Sequence, residues 1–406
     1  FGLTNAYQDM VHNKGHVSQV NKKPFKVGEN LATSLGSIVH KTEMMELIQY
    51  APTTPDVHAI PILIIPPQIN KAYINDLSPE KSIVRFLTSI GLQVFLVSWR
   101  NPTKEHRDWG LADYVDELIV ATDAILEITK SKKLNVSGAC SGGITTATLA
   151  SKLASMGDKR INAISLMVAI LDPQRTDNEV GALVSDNGVE LARQRSQKEG
   201  ILAGDSLARM FAWLRPNDLI WNYVVNNYLM GQDPPAFDIL FWNDDTTNLP
   251  AKFHSDLLDM YVNQPFTNPG EVEFAGHKID VKKVTNDLFI VAGVTDHITP
   301  WKACYRTSQL MGSKNIEFVL SHSGHIQAML NPPGNPKSKY YVNTKGLPKT
   351  PEKWEASAEQ IDGSWWPRWA EWLVAHSGEK AAAPKDTGSA AHPNQYAAPG
   401  RYCFND

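Results

Sequence analysis

The chain carries, in this order, a thiol at Cys140, a carboxyl group at Asp296 and an imidazole at His325. These are the side-chain types that an acyl-transfer site can use. Cys140 lies in the run Gly138-Ala139-Cys140-Ser141-Gly142-Gly143, which has the G-x-C-x-G spacing of a nucleophile elbow. Such an elbow is a strained turn between a strand and a helix, and its glycines avoid collisions with both elements. The first N–H groups of the helix point at the thiol and favour a thiolate. The motif alone is equally compatible with a glycine-rich turn that holds an incidental buried cysteine.

A cysteine nucleophile needs a base, and the base needs an orienting group. The apolar run 288–293 precedes Asp296, and the run 316–320 precedes His325, so both residues follow predicted strands. Taken singly, Asp296 is typical of a residue before a helix that starts near Pro300, and His325 of a polar loop. The order nucleophile, acid, histidine is that of the α/β hydrolases, and it favours a catalytic triad.

Other polar residues compete for these roles. His297 adjoins Asp296 and is expected to line the pocket, with its side chain directed away from that of its neighbour. His322 lies nearer the strand end, but Ser323-Gly324 provides a tight turn that favours His325 as the base. Cys304 falls within a helical pattern and is interpreted as a small core residue.

An acyl transfer also needs donors for the oxyanion. The backbone N–H of Ser141, directly after the nucleophile, is the first predicted donor. The second is the backbone N–H of Gln68 or of Ile69, in the loop that follows Pro66-Pro67. The alternative is that these prolines merely end the preceding strand.

The choice of cysteine over serine suggests the substrate. Transfer of an acyl group from a thioester to Cys140 replaces one thioester by another, with little change in free energy. This suits an enzyme that passes the acyl group on to an alcohol, so thioester substrates are favoured. The sequence contains no Walker A loop, G-x-G-x-x-G fingerprint or H-E-x-x-H motif.

Composition excludes several classes of protein. The 406 residues are 42% hydrophobic and 20% charged, with a net charge of −4, which gives no reason to expect nucleic-acid binding. Three cysteines favour a reducing compartment over a disulfide framework. No transmembrane segment or signal peptide is predicted. Because the chain starts at Phe1, a fragment or a processed product is expected.

Strands and helices alternate in the pattern of a mostly parallel sheet with helices on both faces. Strands are predicted within 25–27, 37–40, 60–65, 92–99, 134–136, 161–171, 288–293 and 316–320, and helices within 78–90, 113–130, 144–150, 207–230, 301–311 and 365–374. The helix at 78–90 is expected to start with the cap Ser78-Pro79-Glu80. The predicted divisions are a first part of the core (1–171), an inserted cap subdomain (172–284), a second part of the core (285–380) and a loose tail (381–406).

Long segments of the chain resemble the polyhydroxyalkanoate synthases, in which cysteine replaces the serine of a lipase-like box. The box is Gly138-Ala139-Cys140-Ser141-Gly142-Gly143. Further matching segments are Pro66-Pro67-Gln68-Ile69-Asn70-Lys71, Val97-Ser98-Trp99-Arg100-Asn101-Pro102, Arg215-Pro216-Asn217-Asp218-Leu219-Ile220-Trp221-Asn222-Tyr223, Pro234-Pro235-Ala236-Phe237-Asp238-Ile239-Leu240 and Ser323-Gly324-His325-Ile326-Gln327. The box, Pro66-Pro67-Gln68 and the run 76–82 are most similar to the class II enzymes, which use medium-chain substrates.

The resemblance implies an α/β-hydrolase fold and an enzyme that joins (R)-3-hydroxyacyl units from coenzyme A thioesters into a polyester. It implies Cys140 as the acylated nucleophile, His325 as its base and Asp296 as the third member, either orienting His325 or activating the incoming hydroxyl. His297 and Gln327 are expected pocket residues. It further implies a cytoplasmic homodimer at the surface of polyester granules, without a cofactor, since the coenzyme A thioester is substrate. The family's upstream N-terminal region is expected to be missing.

Two rival functions remain open. A cysteine-containing α/β hydrolase, such as a thioesterase or a polyester depolymerase, would give free hydroxy acid instead of polymer. A catalytically silent scaffold on the granule surface would have no use for the ordered set of Cys140, Asp296 and His325.

Overall fold

The computed structural model describes residues 1–174, 177 and 185–405. In chain order its strands are Gly36–Lys41 (β1), Met45–Tyr50 (β2), Asp56–His58 (β3), Ile62–Ile65 (β4), Asp76–Ser78 (β5), Lys81–Ser82 (β6), Val94–Trp99 (β7), Leu134–Ala139 (β8), Ile161–Met167 (β9), Ile201–Leu202 (β10), Leu249–Pro250 (β11), Glu273–Phe274 (β12), His277–Lys278 (β13), Asp287–Gly293 (β14), Ile316–Ser321 (β15), Lys339–Val342 (β16), Glu359–Asp362 (β17), Lys380–Ala382 (β18) and Tyr396–Ala397 (β19).

The α-helices lie between these strands. They are Gly2–His12 (α1), Ile83–Ser89 (α2), Leu111–Thr129 (α3), Ser141–Ser155 (α4), Asp186–Glu199 (α5), Gly204–Leu214 (α6), Asp238–Asp244 (α7), Ala251–Asn263 (α8), Trp301–Leu310 (α9), His325–Met329 (α10), Pro351–Glu355 (α11) and Trp366–Ala375 (α12). Two π-helical turns, Asn217–Trp221 and Val224–Leu229, follow α6.

Eleven of the described strands form the main sheet, in the order β17-β16-β15-β14-β9-β8-β4-β7-β2-β1-β19. The six central strands, from β15 to β7, are mutually parallel. Antiparallel pairs extend the sheet at both edges. The predicted mostly parallel sheet is therefore confirmed, and the carboxyl ends of its central strands meet along a common edge.

Helices cover both faces of this sheet. Along β4, Leu63 and Ile65 belong to one core cluster, whereas Ile62 and Ile64 belong to the other. Successive side chains of a strand point to opposite faces, so the two clusters are the two layers on either side of the sheet. Helices α3, α4, α8 and α9 contribute to the first cluster, and α2, α10 and α12 to the second.

Local signals decide the bounds of α3 but not those of every predicted helix. In α3, Leu111, Val115, Leu118 and Ile125 recur at helical spacing and are all fully buried. The predicted start of α2 at Ser78-Pro79-Glu80 is wrong, because residues 76–82 form the β5–β6 hairpin instead.

The cap of α2 is Ser82, whose hydroxyl accepts from the Arg85 N–H at 2.9 Å. Ser82 also donates to the buried Asp76 carboxylate at 2.6 Å, and this tertiary contact fixes the hairpin before the helix begins.

The segment predicted as a loose tail is ordered against the rest of the molecule. β18 pairs with β3, and β19 pairs with β1 at the edge of the main sheet. Tyr402 and Cys403 are buried, and the Tyr402 hydroxyl donates to the Thr42 carbonyl at 2.7 Å. The Ala/Pro/Gly-rich composition pointed to disorder, but these few anchoring side chains outweigh it.

None of the described strands between 172 and 284 joins the main sheet. This part of the chain holds α5 to α8, the two π-helical turns and the small pairs β10–β11 and β12–β13. The division of the chain into core and cap stays a prediction, and the position of these helices above Cys140 is described with the site below.

Candidate active site

Cys140 is the single residue between β8 and α4, as a nucleophile elbow requires. Its φ of 51° and ψ of −122° lie in the region that residues with a β-carbon rarely adopt. A β-carbon added to Gly142 would lie 2.3 Å from the Ile65 carbonyl oxygen, and one on Gly138 would lie 2.1 Å from the Thr146 hydroxyl. The two glycines are therefore required by close packing, and the strained backbone lifts the thiol above the sheet edge.

The loops after β14 and β15 bring the predicted acid and base together. The Asp296 Oδ2 atom lies 2.7 Å from His325 Nδ1, and both residues are buried. Cys140 and His325 line the same small cavity, and interaction with the Cys140 side chain is one of the causes that raise the pKa of His325. The three residues, far apart in the chain, thus lie side by side as the triad prediction requires.

Thr299, which the sequence analysis did not single out, joins this set. Its hydroxyl donates to Asp296 Oδ2 at 2.7 Å and lies 3.0 Å from His325 Nδ1. The Asp296 Oδ1 atom accepts the backbone N–H groups of Ile298 and Thr299 at 2.9 and 2.8 Å. Both carboxylate oxygens are therefore occupied by partners within the loop and by the histidine. Only a Thr close after the acid hinted at this contact.

The electrostatics of the pair favour opposite charges. Burial alone would lower the pKa of His325, but the Asp296 charge and hydrogen bonds with Asp296 and Cys140 outweigh it and raise that pKa to about 10. Burial alone would raise the pKa of Asp296, but the charge of His325 and hydrogen bonds with His325 and Thr299 lower it overall. An imidazolium beside a carboxylate is the favoured state at neutral pH.

The structure distinguishes the two predicted donors in the loop after β4. The backbone N–H of Gln68 lies 3.3 Å from the Ser141 hydroxyl oxygen, which accepts it. The backbone N–H of Ile69 has no acceptor among the described residues, and Ile69 lines the cavity beside Cys140. Ser141 is the first residue of α4, where N–H groups have no intrahelical acceptor. Ser141 and Ile69 are thus better placed than Gln68 to hold an oxyanion.

A cavity of about 580 Å³ extends from Cys140 under the helices of residues 186–263. Its apolar lining includes Ile144, Ile170, Leu202, Met210, Leu257 and Leu258, and its polar lining includes Ser196, Glu199, His254, Tyr261 and Thr299. Leu207 and Phe211 of α6 line this cavity and also a second one of about 70 Å³ that contains His325 and Trp242. Cys140 opens onto both cavities and is half-buried.

The remaining predicted residues lie around the site without entering it. His297 and Gln327 are not among the described lining residues of either cavity, and Gln327 is exposed. The neighbours Ile298 and Ile326 take those positions instead. His322 is exposed, and Cys304 is buried in α9, with its thiol 3.5 Å from the Thr299 carbonyl oxygen.

Among the described residues, no helix is long and apolar enough to cross a membrane. No group of three or more His, Cys, Asp or Glu side chains within 1–174, 177 and 185–405 is arranged to hold a metal ion.

Comparisons with family models identify two regions. Residues 61–332 match the model described as alpha/beta hydrolase fold, which confirms the predicted fold class. Residues 1–87 match the model described as poly-beta-hydroxybutyrate polymerase (PhaC) N-terminus. The expectation that a region upstream of the catalytic domain is missing stays a prediction.

Relatives match over almost the whole chain. Poly(3-hydroxyalkanoate) polymerase 1 of Ectopseudomonas oleovorans is 50% identical over 401 residues, which cover 99% of this chain and 71% of the relative. Poly(3-hydroxyalkanoate) polymerase 2 of the same organism is 46% identical over 402 residues, with the same coverage. The polymerase subunit PhaC of Cupriavidus necator is 38% identical over 409 residues, which cover 99% of this chain and 68% of the relative. The chain therefore belongs to the poly(3-hydroxyalkanoate) polymerase family, enzymes of the acyltransferase kind built on the α/β-hydrolase fold.

Proposed function

We propose that this chain joins (R)-3-hydroxyacyl units from coenzyme A thioesters into a polyester through a thioester on Cys140. The observation that carries the proposal is the position of Cys140, which shares a small cavity with His325 of the Asp296–His325 pair and also lines a cavity of about 580 Å³. The 50% identity to a poly(3-hydroxyalkanoate) polymerase supports the reaction type.

In the proposed acylation step, His325 already holds the thiol proton as an imidazolium, and the Cys140 sulfur attacks the thioester carbonyl carbon as a thiolate. The carbon–sulfur bond to coenzyme A breaks, and the departing thiolate receives the proton from His325. The N–H groups of Ser141 and Ile69 stabilise the negative oxygen of the tetrahedral intermediate. One thioester replaces another, so the step is close to balanced in free energy.

In the proposed elongation step, the 3-hydroxyl of another unit gives its proton to His325 and attacks the acyl group on Cys140. The bond between Cys140 and the acyl carbon breaks, and the sulfur leaves as a thiolate beside the imidazolium of His325, which restores the starting state. An ester replaces a thioester, which makes the step favourable in free energy. Each proton and acyl transfer is assigned to a residue of the chain, so the cycle calls for no cofactor.

The cavity supports acyl groups of medium length, as the class II resemblance implies. Its apolar lining includes side chains of α4, α5, α6 and α8, and burial of each further CH₂ group of a substrate there would contribute roughly 0.8 kcal/mol.

The test is to supply (R)-3-hydroxyacyl-coenzyme A of several chain lengths and to identify the products. Release of coenzyme A with formation of polyester is expected, and the rate should favour medium chain lengths. Release of coenzyme A with free hydroxy acid as the product would overturn the proposal in favour of a hydrolase. Absence of both products would favour the scaffold.

A cytoplasmic homodimer at the surface of polyester granules is also a proposal, supported by the family resemblance. Exposed apolar side chains of α1 and of the π-helical turns beside it, among them Leu3, Met10, Trp221 and Leu229, are available for contact with an apolar surface. Co-sedimentation with amorphous polyester granules and measurement of the mass in solution test the two parts separately. A protein that stays monomeric and unbound would contradict both.

A further inference from the structure

The side chain of Gln68 connects the loop after β4 to the helix after the nucleophile. The Ser141 hydroxyl donates to Gln68 Oε1 at 2.9 Å, and Gln68 Nε2 donates to the Thr145 hydroxyl at 2.9 Å. The Thr145 hydroxyl in turn donates to the Ser141 carbonyl oxygen at 2.9 Å. These bonds form a closed ring across two elements that come from different parts of the chain.

The backbone of Gln68 is fixed as well. Its N–H donates to the Ser141 hydroxyl oxygen at 3.3 Å, and its carbonyl oxygen accepts from the Thr247 hydroxyl at 2.8 Å. All four polar groups of Gln68 are therefore hydrogen-bonded, and the residue is only 3% exposed. Buried networks in which every member is satisfied hold their elements in one arrangement.

The network lies behind the site and not within it. Gln68 is not among the described lining residues of either cavity at Cys140, whereas Ile69 and Ser141 both line the larger one. The amide of Gln68 therefore does not reach the substrate. It lies instead between the two residues whose N–H groups are placed to hold the oxyanion.

We propose that Gln68 is a positioning residue that fixes the N–H groups of Ile69 and Ser141 relative to each other. This inference rests on the proposed function. Oxyanion donors act only when they lie about 2.7–3.1 Å from the developing charge, so a small shift between the loop and α4 weakens both. The side-chain amide of Gln68 links the two segments that carry these N–H groups. It is hydrogen-bonded to the Ser141 hydroxyl, and Gln68 directly precedes Ile69 in the chain.

The test replaces Gln68→Leu and measures coenzyme A release from a 3-hydroxyacyl thioester and from the matching dithioester, in which sulfur replaces the carbonyl oxygen. Oxyanion donors stabilise oxygen better than sulfur, so the ratio of the two rates reports the state of the oxyanion site. We expect kcat for the oxygen substrate to fall about tenfold, less than the 100- to 1,000-fold loss typical when an oxyanion donor is deleted. KM should change little, and the oxygen-over-sulfur ratio should fall.

Thr148→Val is the matched control. Thr148 is buried on the same helix, and its hydroxyl donates to the Ile144 carbonyl at 2.8 Å without contact to Gln68. Its removal should lower the melting temperature while leaving kcat and the ratio unchanged. Ser141→Ala serves as a second test if Gln68→Leu does not fold, because it removes the ring's hydroxyl and keeps the backbone N–H.

A lowered kcat with an unchanged oxygen-over-sulfur ratio would overturn the proposal, since it would indicate a merely structural role. Wild-type kcat in Gln68→Leu, or in Ser141→Ala where Gln68→Leu does not fold, would do so too. Absence of coenzyme A release by the unsubstituted protein would count against the proposed function and with it this inference. Activity of the unsubstituted protein with failure of the ratio test would overturn this inference alone.

Discussion

Replacement of the Cys140 sulfur by oxygen is the most direct test of the proposed acyl transfer. In Cys140→Ser the fold should persist, because oxygen fits where sulfur did. The rate of coenzyme A release should fall by about 100-fold or more, since a hydroxyl holds its proton far more tightly than a thiol and His325 removes it poorly. Melting curves and a coenzyme A assay measure the two effects. Near-normal polymer synthesis would remove Cys140 from the mechanism.

The roles of Asp296 and His325 separate in the first turnover. The Asp296 side chain is fully buried, its oxygens are occupied by Thr299, Ile298 and His325, and it is not among the described cavity-lining residues. We therefore expect it to orient His325, so that Asp296→Asn and His325→Gln both lose the initial burst of coenzyme A in rapid-quench experiments.

The other possibility is a separate role for Asp296 in activating the incoming hydroxyl. In that case Asp296→Asn would keep the burst and lose only the later rate of chain growth. A full burst from Asp296→Asn would thus show that the orienting role is not its main one. Thr299→Val is a further variant for this comparison, because it removes one hydrogen bond to Asp296 and leaves the negative charge of the Asp296 carboxylate in place.

At the residue scale, the sequence predicts the three residues whose types and order a catalytic triad prescribes. It does not predict a residue such as Thr299, whose contacts depend on the conformation of one loop. Cys140, Asp296 and His325 could be identified because triad chemistry prescribes residue types, chain order and positions after strands. The contact of Thr299 with two of them depends on how one loop folds back. His297 is not among the described lining residues of either cavity, and the direction of its side chain depends on the same loop.

At the scale of elements, helix α6 separates the two cavities at Cys140. In the native protein we expect a small alkylating reagent to label Cys140 and a bulky maleimide to label it more slowly, while the buried Cys304 and Cys403 stay unlabelled. Phe211→Ala should narrow the difference, because Phe211 lines both cavities. Mass spectrometry of the labelled protein over time measures these rates.

Trp213→Ala is the control for this prediction. Trp213 lies on the same helix and is 61% exposed, so its removal should leave both labelling rates unchanged. Equal rates for the small and bulky reagents in the unsubstituted protein would contradict the idea that residues 186–263 cover Cys140.

Helix α12 supports the short helix that begins with His325. The indole N–H of Trp365 donates to the Ala328 carbonyl at 2.8 Å, and that of Trp366 donates to the Met329 carbonyl at 2.9 Å. Trp365→Phe would leave a buried carbonyl without a partner and should lower the free energy of unfolding by about 1–3 kcal/mol. Denaturant titration measures this loss.

Trp372→Phe provides the comparison, since Trp372 is half-buried on the same helix and packs on Phe289. The loss there should be smaller. Equal losses in the two variants would show that packing, and not the hydrogen bond to Ala328, dominates at Trp365.

Element boundaries could be predicted where a local pattern acts alone. The parallel strands and α3 followed from runs of buried apolar residues and from helical spacing. The start of α2 did not, because Ser78 and Ser82 both satisfy the rule for a cap and only the tertiary bond from Ser82 to Asp76 decides between them. The ordered tail depends likewise on distant partners, such as the Thr42 carbonyl that Tyr402 contacts.

At the scale of the whole molecule, the buried Asp296–His325 pair makes the free energy of unfolding depend on pH. The pKa of His325 is raised from 6.5 to about 10, so its contribution to stability is fully present below pH 6.5 and is lost as pH rises through about 10. The pKa of Asp296 is lowered from 3.8, so its contribution is present above pH 3.8 and is lost on further acidification.

We therefore expect the difference in unfolding free energy between the unsubstituted protein and His325→Gln to be greatest from about pH 4 to 6.5. This difference should shrink towards pH 10. Urea titrations at a series of pH values measure it. A difference that stays constant over this range would show that His325 does not change its charge there.

Strand β19 pairs with β1 at the edge of the main sheet and so brings the C-terminal segment of the described chain beside an N-terminal strand. The bond from Tyr402 to Thr42 spans 360 positions, and we expect this non-local contact to form after the central strands have paired. The same segment bonds Lys71 Nζ through the Tyr402 carbonyl oxygen at 3.0 Å, only two residues from Ile69. We therefore expect brief local unfolding of residues 396–405 to loosen the loop after β4 that carries Ile69, while the central parallel strands stay paired. Weak amide-exchange protection of residues 396–405 would report this opening.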